Sequence, residues 1–311
     1  MLLALAPGAL GSPAEASTPQ GSAGSTQSNP SLSLDRIDQR DLPLSRSYSW
    51  TTKAENVHVY VVDTAIHGTH VDFEGRVTEG VDLVGGPRNS DVCFFSGTAT
   101  ASLVGGAKYG AAKGVQLKSV RVRDCWQETT PARVVAGINW VTAHAQRPAV
   151  AVLPFVLAPN NAVDEAIRKS VKSGVSWVTS ASGAKHASED ACSVSPARVS
   201  EAITATPLDV ALSSTTGDVL RGDARRGPCV DVAAPSSGPT AMGPGNGQNL
   251  WDRGGSDSAY TAGAAALLLG EHPTWTPTQV HQELVRKSTK DKLNPGTIGA
   301  TPNRILYTGA A

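Results

Sequence analysis

The sequence has few aromatic residues, few charges and no long apolar run, and each shortage excludes a class of protein. Aromatic side chains make up 5% of the 311 residues and charged side chains 17%. Lysine plus arginine and aspartate plus glutamate each number 27, so the formal net charge is zero. This balance argues against binding to nucleic acid or to a membrane surface through a polybasic patch. The longest apolar run of the body, residues 262–269, is interrupted by Gly263 and is far too short to span a bilayer.

What the chain does contain is typical of a folded protein rich in loops. The hydrophobic fraction is 40%, with 31 glycines and 20 prolines. Because aromatic residues are scarce, the core must be built from valine, alanine, leucine and isoleucine, as in tightly packed parallel sheets. The length allows one large domain or two modest ones.

Segments with strand and helix patterns alternate along most of the chain. Apolar and β-branched runs predict strands at 57–62, 115–122, 149–156, 175–180, 203–206 and 229–233. Helical spacing predicts helices at 96–104, 132–145, 162–173, 257–270 and 276–288. Strands that alternate with helices of this length predict an α/β fold, with a parallel sheet covered on both faces, in one domain.

The beginning of the chain has the pattern of an export signal. Residues 1–16 contain an apolar stretch and end in Ala14-Glu15-Ala16, which resembles a cleavage site. A disordered terminus rich in alanine and proline is the alternative, because the usual basic segment is missing. Residues 17–31 are polar and without periodicity, which predicts a disordered linker. The signal and the even number of cysteines, four, predict a secreted protein.

Five segments carry a family resemblance in the order of the chain. They are LDRIDQRDLPL (34–44), VYVVDTAIHGTHVDFEGRV (59–77), YGAAKGVQLKSVRVRDC (109–125), SPARVSEAIT (195–204) and RRGPCVDVAAP (225–235). Together they resemble the subtilisin-like serine peptidases, or subtilases, in the branch that contains proteinase K and aqualysin. The resemblance implies a single subtilase-like domain over 32–311, with an ordered core at about 32–290 and a C-terminal extension after it. It also implies a doubly wound three-layer α/β sandwich with a mostly parallel central sheet and an active site at the carboxyl ends of the strands.

The catalytic positions of that family are mostly changed in this chain. Subtilases use an Asp-His-Ser triad and an asparagine that stabilises the oxyanion. Asp63 is retained where the family has D-T-G, but Ser96 stands at the histidine of H-G-T-H-V-A-G. Gly255 stands at the serine of G-T-S-M-A-x-P-H-V-A-G, and Ala184 at the asparagine of A-A-G-N. The resemblance therefore implies that nucleophile, general base and oxyanion donor are all lost.

The segment that lines the substrate cleft also departs from the family. The family has S-L-G-G, for which this chain has Phe155, Val156, Leu157 and Ala158. A bulky side chain thus stands where a glycine lets a peptide backbone approach closely.

The sequence offers other placements of the catalytic residues. His67-Gly68-Thr69-His70 spells the histidine motif, but it begins only four residues after Asp63 and no helix pattern follows it. In the family this stretch is a loop, and His70 corresponds to its non-catalytic histidine; the alternative is that His67 swings into the cleft. A one-residue shift would make Ser256 the nucleophile, at the cost of the helix register. A new site of Asp63, Ser96 and Ser256 would lack a group able to deprotonate serine near neutral pH.

These changes imply a secreted, monomeric subtilase-fold protein that is catalytically inactive and binds a peptide or protein ligand, with no cofactor required. Asp63 would then be an inherited carboxylate, hydrogen-bonded to Ser96. The alternative is an active serine endopeptidase with shifted or non-standard catalytic residues. Active subtilases generally carry a prodomain, and the short stretch 17–30 before the mature-like start favours the inactive reading.

The resemblance implies two disulfide bonds as well. Cys93 would pair with Cys125, and Cys192 with Cys229, as in the aqualysin-like branch. Four free thiols in a cytosolic protein are the alternative.

A calcium site is implied in part. The Asp231 carboxylate would be one ligand, and the backbone carbonyls of Ser200 and Ala202 would supply the others. The alternative is that Asp231 caps a loop.

Overall fold

The computed structural model describes residues 1, 24–86, 95–186, 189–211, 217–236, 240–242, 246–250 and 254–309. The helices are α1 (Leu32–Ile37), α2 (Ser96–Gly105), α3 (Pro131–His144), α4 (Asn161–Lys172), α5 (Ser256–Glu271), α6 (Pro277–Lys287) and α7 (Pro295–Ile298). The strands are β1 (Ser25–Ser28), β2 (Ser47–Trp50), β3 (His58–Asp63), β4 (Val77–Asp82), β5 (Gln116–Arg121), β6 (Ala149–Leu153), β7 (Ser176–Ser180), β8 (Ile203–Asp209), β9 (Val219–Leu220), β10 (Val232–Pro235), β11 (Thr240–Met242), β12 (Gln248–Leu250), β13 (Thr289–Lys290) and β14 (Arg304–Ile305).

One mostly parallel sheet organises the molecule. Its strand order among the described residues is β13-β14-β10-β8-β7-β6-β3-β5-β4, and β9 pairs with β8 at the side. The neighbours from β14 to β4 run parallel, whereas β13 and β9 are antiparallel to their partners. Helices α2, α3 and α4 make the crossovers from β4 to β5, from β5 to β6 and from β6 to β7. The predicted α/β class and parallel sheet are confirmed.

The residues of β3 show how the sheet separates two cores. Successive side chains of a strand point to opposite faces. Val59 and Val61 pack in the core that contains α2 and α5, whereas Tyr60 and Val62 pack in the core that contains α3 and α4. Both faces of the strand are therefore buried, which is why its sequence is continuously apolar rather than alternating.

Helix α5 is buried over almost its whole length, and this burial explains its composition. Most of its residues are apolar or small, and the helix packs against α2 and against β6, β7, β8 and β10. Alanine and glycine allow helix and sheet to approach closely; a Cβ on Gly263 would lie 2.8 Å from the Cβ of Ala111. Against this background a carboxylate in the first turn, Asp257, is unexpected.

Two predicted boundaries are wrong. The linker predicted over 17–31 ends too late, because β1 (Ser25–Ser28) pairs antiparallel with β2. Strand β1 is held by backbone hydrogen bonds to β2 and has no apolar pattern, so its polar sequence did not predict a strand. The core also continues beyond residue 290, since β14 joins the main sheet beside β10 and buries Ile305 and Leu306. Residues 2–16 of the predicted export signal lie outside the described residues.

One of the two predicted disulfides is confirmed. Cys192 and Cys229 are bonded, with their Cα atoms 5.3 Å apart. Cys125 is also disulfide-bonded, but its predicted partner Cys93 lies outside the described residues, so that pairing stays a prediction.

Removing the Cys192–Cys229 bond should destabilise the protein. The bond closes a loop with a sequence separation of 37 residues. In the chain-entropy model, a loop of this size stabilises by about 3–4 kcal/mol. We expect Cys192→Ala/Cys229→Ala to lose that amount in urea unfolding under non-reducing conditions, with wild type under reducing conditions as the comparison. An unchanged unfolding midpoint in the double variant would contradict the assignment.

Candidate active-site cleft

A cleft of about 490 Å³ lies at the carboxyl ends of the central strands. Asp63 ends β3, Ser96 begins α2, and Gly254 lies just before α5, and all three line the cleft. The opposite wall contains Phe155 and Val156, which follow β6. The topology thus gathers residues that are far apart in sequence at the edge of the sheet where parallel α/β proteins place their ligands.

Asp63 is buried at the bottom of this cleft and is bound by a hydroxyl. The Ser96 hydroxyl donates to Asp63 Oδ1 over 2.9 Å, and Arg123 Nη1 lies 3.3 Å from the same oxygen. Burial raises the pKa of the Asp63 carboxyl, against the lowering effect of the Arg123 charge and of the Ser96 hydrogen bond. The register that placed Ser96 at the histidine position therefore predicted a side chain that does contact Asp63.

A serine at position 96 cannot do the work of an imidazole. A neutral imidazole can accept a proton near neutral pH, whereas the Ser96 hydroxyl donates its own proton to Asp63. All seven histidines of the chain fall within the described residues, and none is among the residues that line the cleft. The backbone N–H of His67 donates to Thr98, and the His70 ring lies 3.4 Å from the carbonyl oxygen of Gly247. The described cleft therefore contains no general base of the triad type.

Gly255 occupies a backbone conformation that excludes an ordinary nucleophile. Its φ is +105°, in the region that favours glycine. A Cβ at this position would lie 2.8 Å from the carbonyl oxygen of Pro154 and 2.9 Å from its Cβ. A serine here would need the turn to move. Ser256, the alternative nucleophile, is buried, and its hydroxyl has no hydrogen-bond partner among the described residues.

At the two described positions to which the family resemblance assigns oxyanion donors, Gly255 and Ala184, no donor is directed into the cleft. In serine hydrolases a backbone N–H at the nucleophile contributes to the oxyanion hole. Here the Gly255 N–H donates to Asp257 Oδ1 over 3.1 Å, inside the protein. Ala184 has no side-chain donor, and its backbone N–H donates to the carbonyl oxygen of Asp223 over 2.9 Å.

Asp257 is a residue of this site that the sequence reasoning missed. It is fully buried, and its Oδ2 accepts a hydrogen bond of 2.8 Å from the Ser180 hydroxyl. Burial raises the pKa of the Asp257 carboxyl to about 7. A signal was present, because Asp257 falls on the alanine after methionine in G-T-S-M-A, and a carboxylate within an apolar helix calls for a partner.

The predicted substrate segment lies in the cleft only in part. Phe155 and Val156 line it, and the Arg123 guanidinium lies 4.4 Å above the Phe155 ring. Leu157 instead exchanges backbone hydrogen bonds with Ser195, of 2.7 and 3.1 Å, and neither it nor Ala158 is among the described residues that line the cleft. The side chains of Phe155 and Val156 therefore narrow the cleft on one side.

Both carboxylate oxygens of Asp231 are in contact with groups of the protein. One carboxylate oxygen lies 2.9 Å from His281 Nε2, and the other accepts the backbone N–H of Thr204 over 2.8 Å. Calcium takes oxygen ligands, and a histidine directed at the carboxylate competes with it. Within the described parts of the chain, no group of three or more His, Cys, Asp or Glu could hold a metal ion. The calcium site with Ser200 and Ala202 stays a prediction, and the loop-capping alternative accounts for these contacts.

The fold and the cleft together are those of a subtilisin-like α/β protein. A family model described as the subtilase family matches residues 54–301. The chain belongs to the subtilase family.

Its relatives include two bacterial proteases. The chain is 36% identical over 287 residues to the alkaline serine exoprotease A of Vibrio alginolyticus, which covers 92% of this chain and 52% of that protein. It is also 36% identical over 285 residues to the extracellular serine proteinase of Thermus sp. (strain Rt41A), covering 91% of this chain and 67% of that protein. The chain thus spans about half of the first relative and two thirds of the second.

A solved structure confirms the predicted subtilisin-like fold. The crystal structure of a cold adapted subtilisin-like serine proteinase superimposes with a TM-score of 0.82 at 33% identity. The match covers 91% of this chain and 100% of the other. Among the described residues, no helix is long and apolar enough to cross a membrane.

Proposed function

We propose that this subtilase binds a peptide or protein segment in its cleft and does not cleave it. The observation that carries the proposal is the hydrogen bond from Ser96 to Asp63, because a catalytic triad needs an imidazole as the partner of this carboxylate. With a hydroxyl there, the carboxylate holds a group that cannot accept a proton from a nucleophile near neutral pH.

The other losses act in the same direction. A serine at position 255 would clash with Pro154, so the described backbone is not shaped for a nucleophile at that point. Removal of one oxyanion donor alone typically lowers the rate by about 10²–10³. Here the Gly255 N–H is used by Asp257, and Ala184 supplies no side-chain donor.

The cleft remains suited to binding. Its volume of about 490 Å³ lies within the range of ligand sites, roughly 300–1,000 Å³. Phe155 and Val156 offer apolar surface, and Arg123 and Asp223 offer charge of either sign. A short peptide segment is the ligand class that this mixture of apolar and polar groups favours.

An active serine endopeptidase with non-standard residues is the second candidate. The names of the relatives favour it, since both are described as serine proteases. It requires a nucleophile other than the residue at position 255, and the buried Ser256 hydroxyl does not line the cleft.

The two candidates differ in reactivity toward a serine probe. We expect the purified protein not to hydrolyse casein and not to be labelled by a fluorophosphonate, because no described hydroxyl of the cleft is paired with a histidine that could take its proton. An active subtilase assayed in parallel is the positive control, and Asp63→Asn is a matched variant that should leave the result unchanged. Labelling of the folded wild type, mapped by mass spectrometry to a serine of the cleft, would establish the second candidate instead.

Export and monomeric state belong to the same proposal. The Cys192–Cys229 disulfide is the kind of bond that persists in oxidising compartments, and the Thermus relative is described as extracellular. The proposal is therefore of an exported monomer that binds its ligand in the cleft and requires no cofactor to do so.

A further inference from the structure

A chain of hydrogen bonds leads from buried Asp257 to the wall of the cleft. Asp257 Oδ2 lies 2.8 Å from the Ser180 hydroxyl, which lies 2.8 Å from the Ser182 hydroxyl. Ser182 is only 5% exposed but lines the cleft, whereas Ser180 and Asp257 are fully buried behind it. The carboxylate also holds the turn before α5, because its Oδ1 accepts the Gly255 N–H.

The hydrogen bonds that link Asp257, Ser180 and Ser182 can be arranged in two ways, which differ in the position of one proton. The Ser180 oxygen also accepts the Ser182 backbone N–H over 3.0 Å. A hydroxyl has one proton and two acceptor sites, so Ser180 cannot donate to both Asp257 and Ser182. The structure places the Ser180 hydroxyl to donate to Ser182. When Asp257 is ionised, Ser180 must donate to it instead, and the Ser182 side chain must rotate to donate to Ser180. When Asp257 is protonated, it donates to Ser180, Ser180 donates to Ser182, and the Ser182 proton is free.

We propose that Asp257 sets the hydrogen-bonding polarity of Ser182 in the cleft through Ser180. With Asp257 ionised, Ser182 donates inward and offers only lone pairs to the cleft. With Asp257 protonated, Ser182 can donate to a ligand oxygen. One proton on a buried carboxyl thus reverses the direction of every hydroxyl in the chain, without moving the backbone.

The surroundings of Asp257 make both states accessible. Burial raises its pKa to about 7, and no charged side chain contributes to that shift; the opposing groups are the Ser180 hydroxyl and backbone N–H groups of α5. Helix α2 and strands β6, β7 and β10, which pack on α5, carry no charged residue. The charged or titratable residues of the other packed elements, β3, β8 and α6, are His58, Tyr60, Asp63, Asp209, His281, Glu283, Arg286 and Lys287. Of these, Asp63 lines the same cleft, as do Arg123 and Asp223.

The consequence for recognition rests on the proposed function. A peptide presents carbonyl oxygens and N–H groups in alternation, and Ser182 would favour a carbonyl below the midpoint and an N–H above it. Ser182 is then a specificity-determining residue, and Ser180 and Asp257 are positioning residues that act through it.

The relay can be tested without a ligand, by following backbone amide signals in ¹⁵N NMR spectra from pH 5 to pH 9. In wild type, we expect the Ser182 and Gly255 amides to titrate with a common midpoint. In Asp257→Asn, which keeps the shape and both contacts, both titrations should be lost. In Ser180→Ala, Gly255 should still titrate, because its contact with Asp257 is direct, while the Ser182 titration should be lost. Asp63→Asn is the control for the other buried carboxyl and should change neither midpoint.

Three results would overturn the relay. They are a Ser182 amide that does not titrate in wild type, a Ser182 titration that persists in Asp257→Asn, and one that survives in Ser180→Ala while Gly255 also titrates. None of these depends on whether the cleft binds a peptide. Failure of the proposed function would appear separately, as fluorophosphonate labelling or as casein hydrolysis, so the two ideas can fail independently.

Discussion

Between about pH 4 and pH 7 the wild-type protein should lose stability as the pH rises, and Asp257→Asn should abolish this loss. Burial raises the pKa of Asp257 from 3.8 to about 7, so in that window the folded state binds a proton that the unfolded state has released. The free energy of unfolding therefore falls as the pH rises through the window. At about 1.4 kcal/mol for each unit of pKa shift, the full effect is about 4 kcal/mol.

The asparagine variant keeps the shape of the site while removing its titration. Its amide oxygen can accept the Gly255 N–H, and its NH₂ group can donate to Ser180, as a protonated Asp257 would. Urea unfolding at pH 5 and pH 8 measures the effect. We expect the variant to gain stability relative to wild type as the pH rises, while the surface control Asp223→Asn keeps the wild-type dependence. Parallel curves for wild type and Asp257→Asn would show that Asp257 does not titrate in this window.

The sheet and its order of elements could be predicted because they depend on local patterns. The continuous apolar run of β3 implied burial on both faces, and the structure places Val59 and Tyr60 in two different cores. Strand β1 could not be predicted in this way. Its side chains are polar and mostly exposed, and its order comes from backbone pairing with β2, a partner 19 or more residues away.

The contact between Ser96 and Asp63 could be predicted, because it depends only on where the two residues fall in the family motifs. The family register placed Ser96 beside Asp63, and the two are in hydrogen-bond contact. The register could not show the left-handed backbone at Gly255, because a glycine in a motif is compatible with any φ. Nor could it show the direction of the Gly255 N–H, which depends on a carboxylate two residues later whose own orientation is set by Ser180.

The local sequence of α5 contains a conflict, because it places the carboxylate of Asp257 in the first turn of an apolar helix. A carboxylate on a helix buried on nearly all sides costs several kcal/mol unless it is paired or hydrogen-bonded. Asp257 is hydrogen-bonded by the Ser180 hydroxyl at the end of β7 and by the Gly255 N–H, and Ser180 in turn contacts Ser182. Ser182 falls on the second alanine of A-A-G-N and Asp257 on the alanine of G-T-S-M-A, so two apolar motif positions changed to polar residues that are linked through Ser180.

Gly255→Ser, the simplest attempt to restore a nucleophile, should destabilise the protein by about 2–5 kcal/mol. A residue with a Cβ costs roughly 1–2 kcal/mol in a left-handed conformation, and forcing atoms into a packed site costs about 1–3 kcal/mol more. Both apply here, at φ +105° and with Pro154 2.8 Å from the new Cβ. Gly255→Ala should lose a similar amount, which would assign the cost to the backbone and the Cβ rather than to the hydroxyl. Gly222→Ser is the matched control, because a Cβ there meets nothing within 4 Å.

The same geometry decides how catalysis would have to be rebuilt. Ser96→His, Ala184→Asn and Gly255→Ser together supply a base, an oxyanion donor and a nucleophile, but Asp257 would still hold the Gly255 backbone N–H inside the protein. Because triad members act as a unit, we expect no single reversion to be labelled by a fluorophosphonate. Adding Asp257→Ala, the residue of the family motif, releases that N–H and should give more labelling than the triple variant. If the folded triple variant is labelled as strongly as the fourfold one, Asp257 does not restrain the turn. If Gly255→Ser alone is as stable as Gly222→Ser, the left-handed conformation at position 255 is not a barrier to a nucleophile.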